Sequence, residues 1–254
     1  MISVIIPTYK EPEALELCLR SIINGQKHKN QILVIVDGYY DINKEVLQQY
    51  KSNIDVVNLP ENVGICRAIN CGVLHSKFDK ILIVNDDNVF SNLWDKKLLE
   101  CWRPNSVISP NQIEPIPSMF RQFHIQNLGR DPKTFDLEAF WKYEHTLSEN
   151  RIEETGSTPP IFMSKIDYLR IGGWDSEYPG AWVVDHEFFM KCSMAGMKML
   201  RTYSTHFYHF VSIGTKSPER IEASKILEQK CWEYSIIKWG DPIKHNPINN
   251  EKYL

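Results

Sequence analysis

The chain has 254 residues, 43% of them hydrophobic, and a formal net charge of -3. That length buries a full core in one domain, or in one domain with an appendage. The slight acidic excess leaves no basic surplus for a nucleic-acid backbone or an anionic membrane, so duplex DNA is disfavoured as a partner.

The first residues, Ile2-Ser3-Val4-Ile5-Ile6-Pro7, carry neither the charged leader nor the cleavage site of a signal peptide, and no apolar run reaches membrane-spanning length. A soluble, cytoplasmic protein is expected. Residues 2–6 read as a strand stopped by Pro7, and Pro12 opens a helix with Leu15, Cys18, Leu19 and Ile22 on one face. Residues 32–36 form a second strand, 44–50 a helical stretch, 54–59 a third strand, 65–74 a helix and 81–84 a fourth strand. Continuous apolar strands separated by helices predict a doubly wound α/β fold, its mainly parallel sheet covered on both faces.

Residues 103–158 break the rhythm with Pro104, Pro110, Pro115 and Pro117, and read as irregular apart from a helix over 137–147. Residues 160–163 form a strand and 166–171 a short helix ended by Gly172-Gly173. A helix over 187–195 with Gly196 at its cap leads into a strand over 198–203. Ser217-Pro218 opens an amphipathic helix with Ala223, Leu227, Cys231, Tyr234 and Ile237 on one face, and the tail after Asp241 reads as loose. The six cysteines, at 18, 66, 71, 101, 192 and 231, form no CxxC pair and are expected as reduced core residues.

The apolar run 80–84 ends in Asn85-Asp86-Asp87. In open α/β sheets ligands sit beyond the carboxyl ends of the strands, where two acids can hold a divalent cation against phosphate oxygens. An Asp/Asn cluster after a strand is also ordinary turn chemistry. Three further loops reach the same edge: Pro7-Thr8-Tyr9-Lys10-Glu11, Asp37-Gly38, and Glu61-Asn62-Val63-Gly64 leading to Arg67 and Asn70. Thr8, Glu11, Asp37, Arg67 and the acid pair offer acceptors for a base and ribose and a cation for a diphosphate. No GxGxxG or GKS/GKT segment follows a strand, so the dinucleotide and P-loop readings lack their phosphate cradle, and a metal is the obvious phosphate partner.

Ser3-Val4-Ile5-Ile6-Pro7-Thr8-Tyr9, then Asn62-Val63-Gly64 with Arg67, Ala68, Asn70 and Gly72, then Asn85-Asp86-Asp87, resemble the family 2 glycosyltransferases of the GT-A fold. Ile171-Gly172-Gly173-Trp174-Asp175 and Asp185-His186-Glu187 resemble that family's acceptor-side motifs, and the succession runs in order over residues 1–210. The resemblance implies inverting transfer of a sugar from a nucleotide diphosphate, usually UDP, to a hydroxyl of a glycan or other glycoconjugate, with Mn²⁺ or Mg²⁺. It implies a GT-A domain over 1–215, with a nucleotide-binding part in 1–100, an acceptor-binding part in 101–215, and an appended helix and tail in 216–254. By position, Thr8, Tyr9, Glu11 and Asp37 would line base and ribose, with Pro7 and Asn62 beside them. Arg67 would face the nucleotide or phosphates, Asp86 the ribose or sugar, and Asp87 the metal. Asp185 would be the base: an ordinary Asp is ionised at neutral pH, ready to take a proton from an acceptor hydroxyl.

Several positions depart from the family pattern. Asn85 stands where the triplet usually has Asp, and Asp37 is followed by Gly38-Tyr39-Tyr40, whose tyrosines either stack on a base or pack on their own strand. Val184 stands where Glu usually precedes the base, which leaves Glu187 as a rival to Asp185; a strand would place the two on the same side. His209, and less so His206, follow the last predicted strand, as a metal ligand or as a packed core residue; Ser212, Gly214 and Thr215 downstream read as a flexible loop. Imidazole suits Mn²⁺ better than Mg²⁺. Trp174 and Trp182 are candidate acceptor platforms, with Trp174 alternatively a core residue under the Gly172-Gly173 turn. The rivals to a transferase are a sugar-nucleotide pyrophosphorylase, whose Gly-rich basic loop after the first strand is missing, and a non-catalytic nucleotide- or glycan-binding module, against which Asp87 and Asp185 speak.

Overall fold

Strand β1 (Ser3–Thr8) sends Ile5 to one face and Val4 and Ile6 to the other, and all three are fully buried. Burial on both faces is the signature of a sheet sandwiched between helices. The computed structural model describes residues 1–117, 123–155, 158–210 and 218–240. The Ser217 cap, the loop with Ser212, Gly214 and Thr215, and the tail after Asp241 lie outside the described residues.

Strand β1 pairs in parallel with β2 (Gln31–Asp37) and β4 (Lys80–Ile83), and β3 (Asp55–Leu59) lies parallel beyond β2. On one face, α1 (Pro12–Gly25), α2 (Tyr40–Gln49) and α4 (Trp94–Cys101) cover Val4, Ile6, Val34 and Val36. On the other, α3 (Ile65–His75), α6 (Lys165–Arg170) and α7 (Val184–Met194) cover Ile5, Leu33 and Ile35. The sheet continues through β9 (Ile161–Ser164), antiparallel to β4, then β6 (Ser106–Glu114), β10 (Lys198–His209) and β5 (Asn88–Phe90), giving the order β3-β2-β1-β4-β9-β6-β10-β5. Short β7 (His124–Ile125) and β8 (Ile152–Glu153) flank β6 and β10, α5 (Leu137–Leu147) adds a third small core, and α8 (Pro218–Trp239) follows. The expected α/β architecture, a mostly parallel sheet with helices on both faces, is the one observed.

The proline-rich stretch is not irregular. Residues 106–114 form a wholly buried strand inside the sheet. Pro110 is tolerated there because it pairs with Thr202 where β10 bulges: the next pair is Asn111 with His206, so Tyr203, Ser204 and Thr205 are looped out. A bulge is where a strand accommodates a residue without an N–H. Strand β10 accordingly runs on to His209, with Thr205 bonded to Ser91 and the His206 N–H and Nδ1 facing Glu144. Pro7 does not end β1 either; it lies past the last β1–β4 pair, Ile5 with Ile83, where the strand has one neighbour.

Helix α2 starts at Tyr40 rather than 44, after Gly38 and Tyr39 turn the chain with positive φ. Helix α7 starts at Val184, so Asp185 and Glu187 sit in a first helical turn and not on one side of a strand. On α8 the expected apolar face is the inner one through Leu227, Cys231 and Tyr234, but Ile237 is 84% exposed and Ser235 is buried instead. Lys238, close to carboxylates of the main body, sets that orientation. Among the described residues no helix is long and apolar enough to cross a membrane.

Candidate active site

The loops after β1, β2 and β4 meet at the carboxyl edge of the parallel strands. The Thr8 hydroxyl, buried at the end of β1, donates to Asp86 Oδ2 at 2.7 Å. The Asp37 carboxylate at the end of β2 accepts from the backbone N–H of Val63 at 2.7 Å and of Gly64 at 3.1 Å, which fixes the loop before α3. Burial raises the Asp37 carboxyl above the ordinary range, against the pull of those two N–H groups. The Asn62 side chain also accepts from Gly64 N–H, at 3.0 Å.

Two cavities open at this edge. The larger, about 450 Å³, is walled by Tyr9, Asp37, Asn62 and Gly64 on one side and by Tyr178, Gly180 and Leu227 on the other. The smaller, about 200 Å³, is lined by Asn85, Asn88, Gln112, Glu114, Asp185 and His209, among others. The Thr8–Asp86 bond ties them together, since Thr8 precedes Tyr9 of the larger cavity and Asp87 pairs with His209 of the smaller. Beside the larger cavity, the Tyr39 ring meets Tyr9 edge-on at 5.1 Å, with Lys10 Nζ 3.7 Å above it.

The charge balance is unusual. Asp86 is pushed up to about 7 by burial and by Asp87, with the Thr8 hydrogen bond opposing. His209 Nε2 lies 3.4 Å from Asp87 Oδ2, and Nδ1 lies 3.1 Å from Glu114 Oε1. Burial alone would lower the imidazole, but the two carboxylates raise it to about 10. Asp87 Oδ1 is buried without a hydrogen-bond partner. An orphaned carboxylate oxygen beside an imidazole that a second carboxylate orients suits a divalent cation. Among the described residues no group of three or more His, Cys, Asp or Glu converges for a metal.

Asp185, in the first turn of α7, lines the smaller cavity, and burial pushes its carboxyl up to about 7. Glu187 faces elsewhere: it is 2% exposed and pairs with Lys238 Nζ at 2.6 Å. Trp174 is buried, stacked on Phe188 at 4.8 Å, whereas Trp182 is exposed. Arg67 is exposed, lines neither cavity itself, and reaches Glu177 and the carbonyl of Ser176 on the wall of the larger one. Pro7 continues β1, and Glu11 directly precedes α1. His206 is fully buried against Glu144, its ring 5.1 Å from that of His124. Glu114 and Gln112 carry no sequence motif that marks them, and β6 brings both to the smaller cavity.

The model of the family described as Glycosyl transferase family 2 matches residues 3–157. The chain is 27% identical over 198 residues to an uncharacterized glycosyltransferase of Haemophilus influenzae, covering 75% of this chain and 61% of that protein. It is 29% identical over 90 residues to a poly-beta-1,6-N-acetyl-D-glucosamine synthase of Staphylococcus aureus, which is 35% of this chain and 22% of the synthase. The match thus spans under a quarter of the synthase's length. Among solved structures, GalNAc-T7 with UDP, GalNAc and Mn²⁺ superposes with a TM-score of 0.63 at 14% identity, over 97% of this chain and 58% of that one. That likeness shows the GT-A fold.

Proposed function

This chain belongs to glycosyl transferase family 2, and on that footing we propose that it is a glycosyltransferase that moves a sugar from a UDP-sugar to a carbohydrate hydroxyl, inverting the anomeric carbon with the help of a divalent cation. The observation that carries this reading is the smaller cavity, where Asp185, with a carboxyl near 7, opens onto the same space as His209. A base poised near neutral pH takes a proton efficiently and stays ionised enough to act.

Tyr9, Asp37 and Asn62 bind the base and ribose in the larger cavity, Asp86 holds the ribose or sugar, and the sugar projects into the smaller cavity. Asp185 accepts the proton of the acceptor hydroxyl as its oxygen attacks the anomeric carbon from the face opposite the diphosphate, and attack from that face inverts the centre. Asp87 and His209 would hold the cation, whose chemistry when bound is to offset charge growing on the leaving diphosphate. An imidazole in the set favours Mn²⁺ over Mg²⁺. GalNAc-T7, which was solved with UDP and Mn²⁺, supports both choices. The relative named as a synthase of an N-acetylglucosamine polymer supports a glycan acceptor. Residues 1–100 supply most of the donor side and 101–215 the acceptor side. The six free cysteines suit a reducing cytoplasm.

The test is to incubate the protein with a panel of UDP-sugars, Mn²⁺ and oligosaccharide acceptors and to follow UDP release and product stereochemistry. Release that stops on chelation, with an inverted linkage, is expected. UDP binding with no sugar hydrolysed or transferred from any donor would make the protein a binding module instead.

A further inference from the structure

The loop from Asp175 to Val183 joins the two halves of the site: Ser176, Tyr178, Pro179, Gly180 and Ala181 wall the larger cavity, and α7 with Asp185 follows directly. Its base is held by α3, where Asn70 donates to Trp174 O and accepts from Trp174 N–H. Further along the loop α3 contributes Arg67, which donates to Ser176 O and pairs with Glu177 at 54% and 68% exposure, a surface pair of the kind that contributes little. Its anchorage on α8 is extensive. Lys238 Nζ lies 2.7 Å from Asp175 Oδ2, the Tyr234 hydroxyl donates to the same oxygen at 3.0 Å, and the Tyr234 ring meets Tyr178 edge-on at 4.8 Å. Leu227 itself walls the cavity, and both Leu227 and Cys231 press on Gly180.

The same ammonium lies 2.6 Å from Glu187 Oε1, two residues from Asp185 on the first turn of α7. Glu187 is almost wholly buried, and its other cation, Lys191, stands 3.9 Å away while donating to Gly173 O. Without Lys238, two carboxylates would face each other with that distant countercharge, an arrangement a folded protein relieves by moving the groups apart. One of them carries the cavity loop and the other the helix of Asp185.

We propose that Lys238 is a positioning residue for transfer: by bridging Asp175 and Glu187 it sets the cavity loop and the helix bearing Asp185 in one fixed relation. The inference rests on reading the larger cavity as the donor site. The appended helix is then part of the enzyme's working geometry, since small misplacements of reacting groups cost up to about 100-fold in rate.

The experiment compares wild type, Lys238→Met, Lys238→Arg and Asp175→Asn in UDP affinity by calorimetry, in donor KM and kcat, and in Tm, with rates taken well below the lowest Tm. Lys238→Met should weaken UDP binding and lower kcat/KM for the donor about 10- to 100-fold. Lys238→Arg, whose fork can meet both carboxylates, should recover most of that loss. Asp175→Asn keeps the Lys238–Glu187 pair, so it reports on the loop link even if Lys238→Met does not fold, and it should weaken donor binding. Unchanged UDP affinity and turnover in the folded variants, with only a lower Tm, would overturn the inference and leave the proposed function standing. Failure of the wild type itself to bind UDP would overturn both.

Discussion

Glu114 Oε1 lies 3.1 Å from Nδ1 of His209, whose other nitrogen points to Asp87. A carboxylate behind an imidazole fixes its tautomer and ring plane, and losing such a partner reduces metal affinity about 10- to 100-fold. Glu114→Ala should therefore weaken Mn²⁺ binding by that factor, and His209→Ala by more, both read by calorimetry or by the signal of free Mn²⁺ in electron paramagnetic resonance. Unaltered affinity in both variants would remove His209 from the cation site.

Asp185 gives two expectations of opposite sign. As the base it works ionised, so the transfer rate should climb as pH rises through about 7, the value to which burial pushes its carboxyl. Asp185→Asn should abolish that limb and lower kcat about 10²- to 10⁴-fold while UDP binding persists. Stability runs the other way. The folded-state carboxyl is raised above its unfolded value of about 3.9, so between about 4 and 7 the folded protein holds the extra proton, and wild type loses stability as pH rises through that window. The Tm of Asp185→Asn relative to wild type should thus increase from pH 4 to pH 7 and level off beyond. A variant that also loses UDP binding would show that Asp185 serves the donor rather than the proton.

Asp37 is tied to backbone geometry as well as to the proposed ribose. Its removal strips the acceptor from the half-buried Val63 N–H and leaves Gly64 N–H only its bond to Asn62, and losing a hydrogen bond of this kind costs about 0.5–1.5 kcal/mol. Asp37→Ala should lower unfolding stability in urea by an amount in that range and weaken UDP binding. Asp37→Asn, which retains one acceptor oxygen, should fall between.

The parallel half of the fold was legible because its strands are unbroken apolar runs, as in Ile32 to Val36, between helices of one apolar face. The second half was not. Strand β6 contains Pro110, a residue that argues against a central strand unless a bulge lies opposite, and that bulge is in β10, almost a hundred residues on. His209 and Glu114, far apart in sequence, meet because β6 and β10 are neighbours in the sheet. Local pattern carries no trace of such pairing. On α8 the apolar repeat marks the inner face through Leu227, Cys231 and Tyr234 but not at Ile237, which is exposed; the neighbouring Lys238 instead meets the carboxylates of Asp175 and Glu187, whose convergence is itself tertiary.

The glycine of α3 that packs on the sheet offers a test of the fold apart from the chemistry. A Cβ at Gly72 would lie 2.4 Å from Ile5 Cγ2 and 3.1 Å from Ile35 Cγ1, inside a core with no slack. Helix propensity alone favours alanine there by up to about 1 kcal/mol. Overpacking costs about 1–3 kcal/mol and acts against β-branched side chains that cannot swing aside, so it wins. Gly72→Ala should lower the midpoint of chemical denaturation with an unchanged slope. A variant as stable as wild type would show that α3 can lift off β1 and β2 at little cost, and the close packing that holds the Asn62–Gly64 loop over the larger cavity would then be looser than its geometry implies.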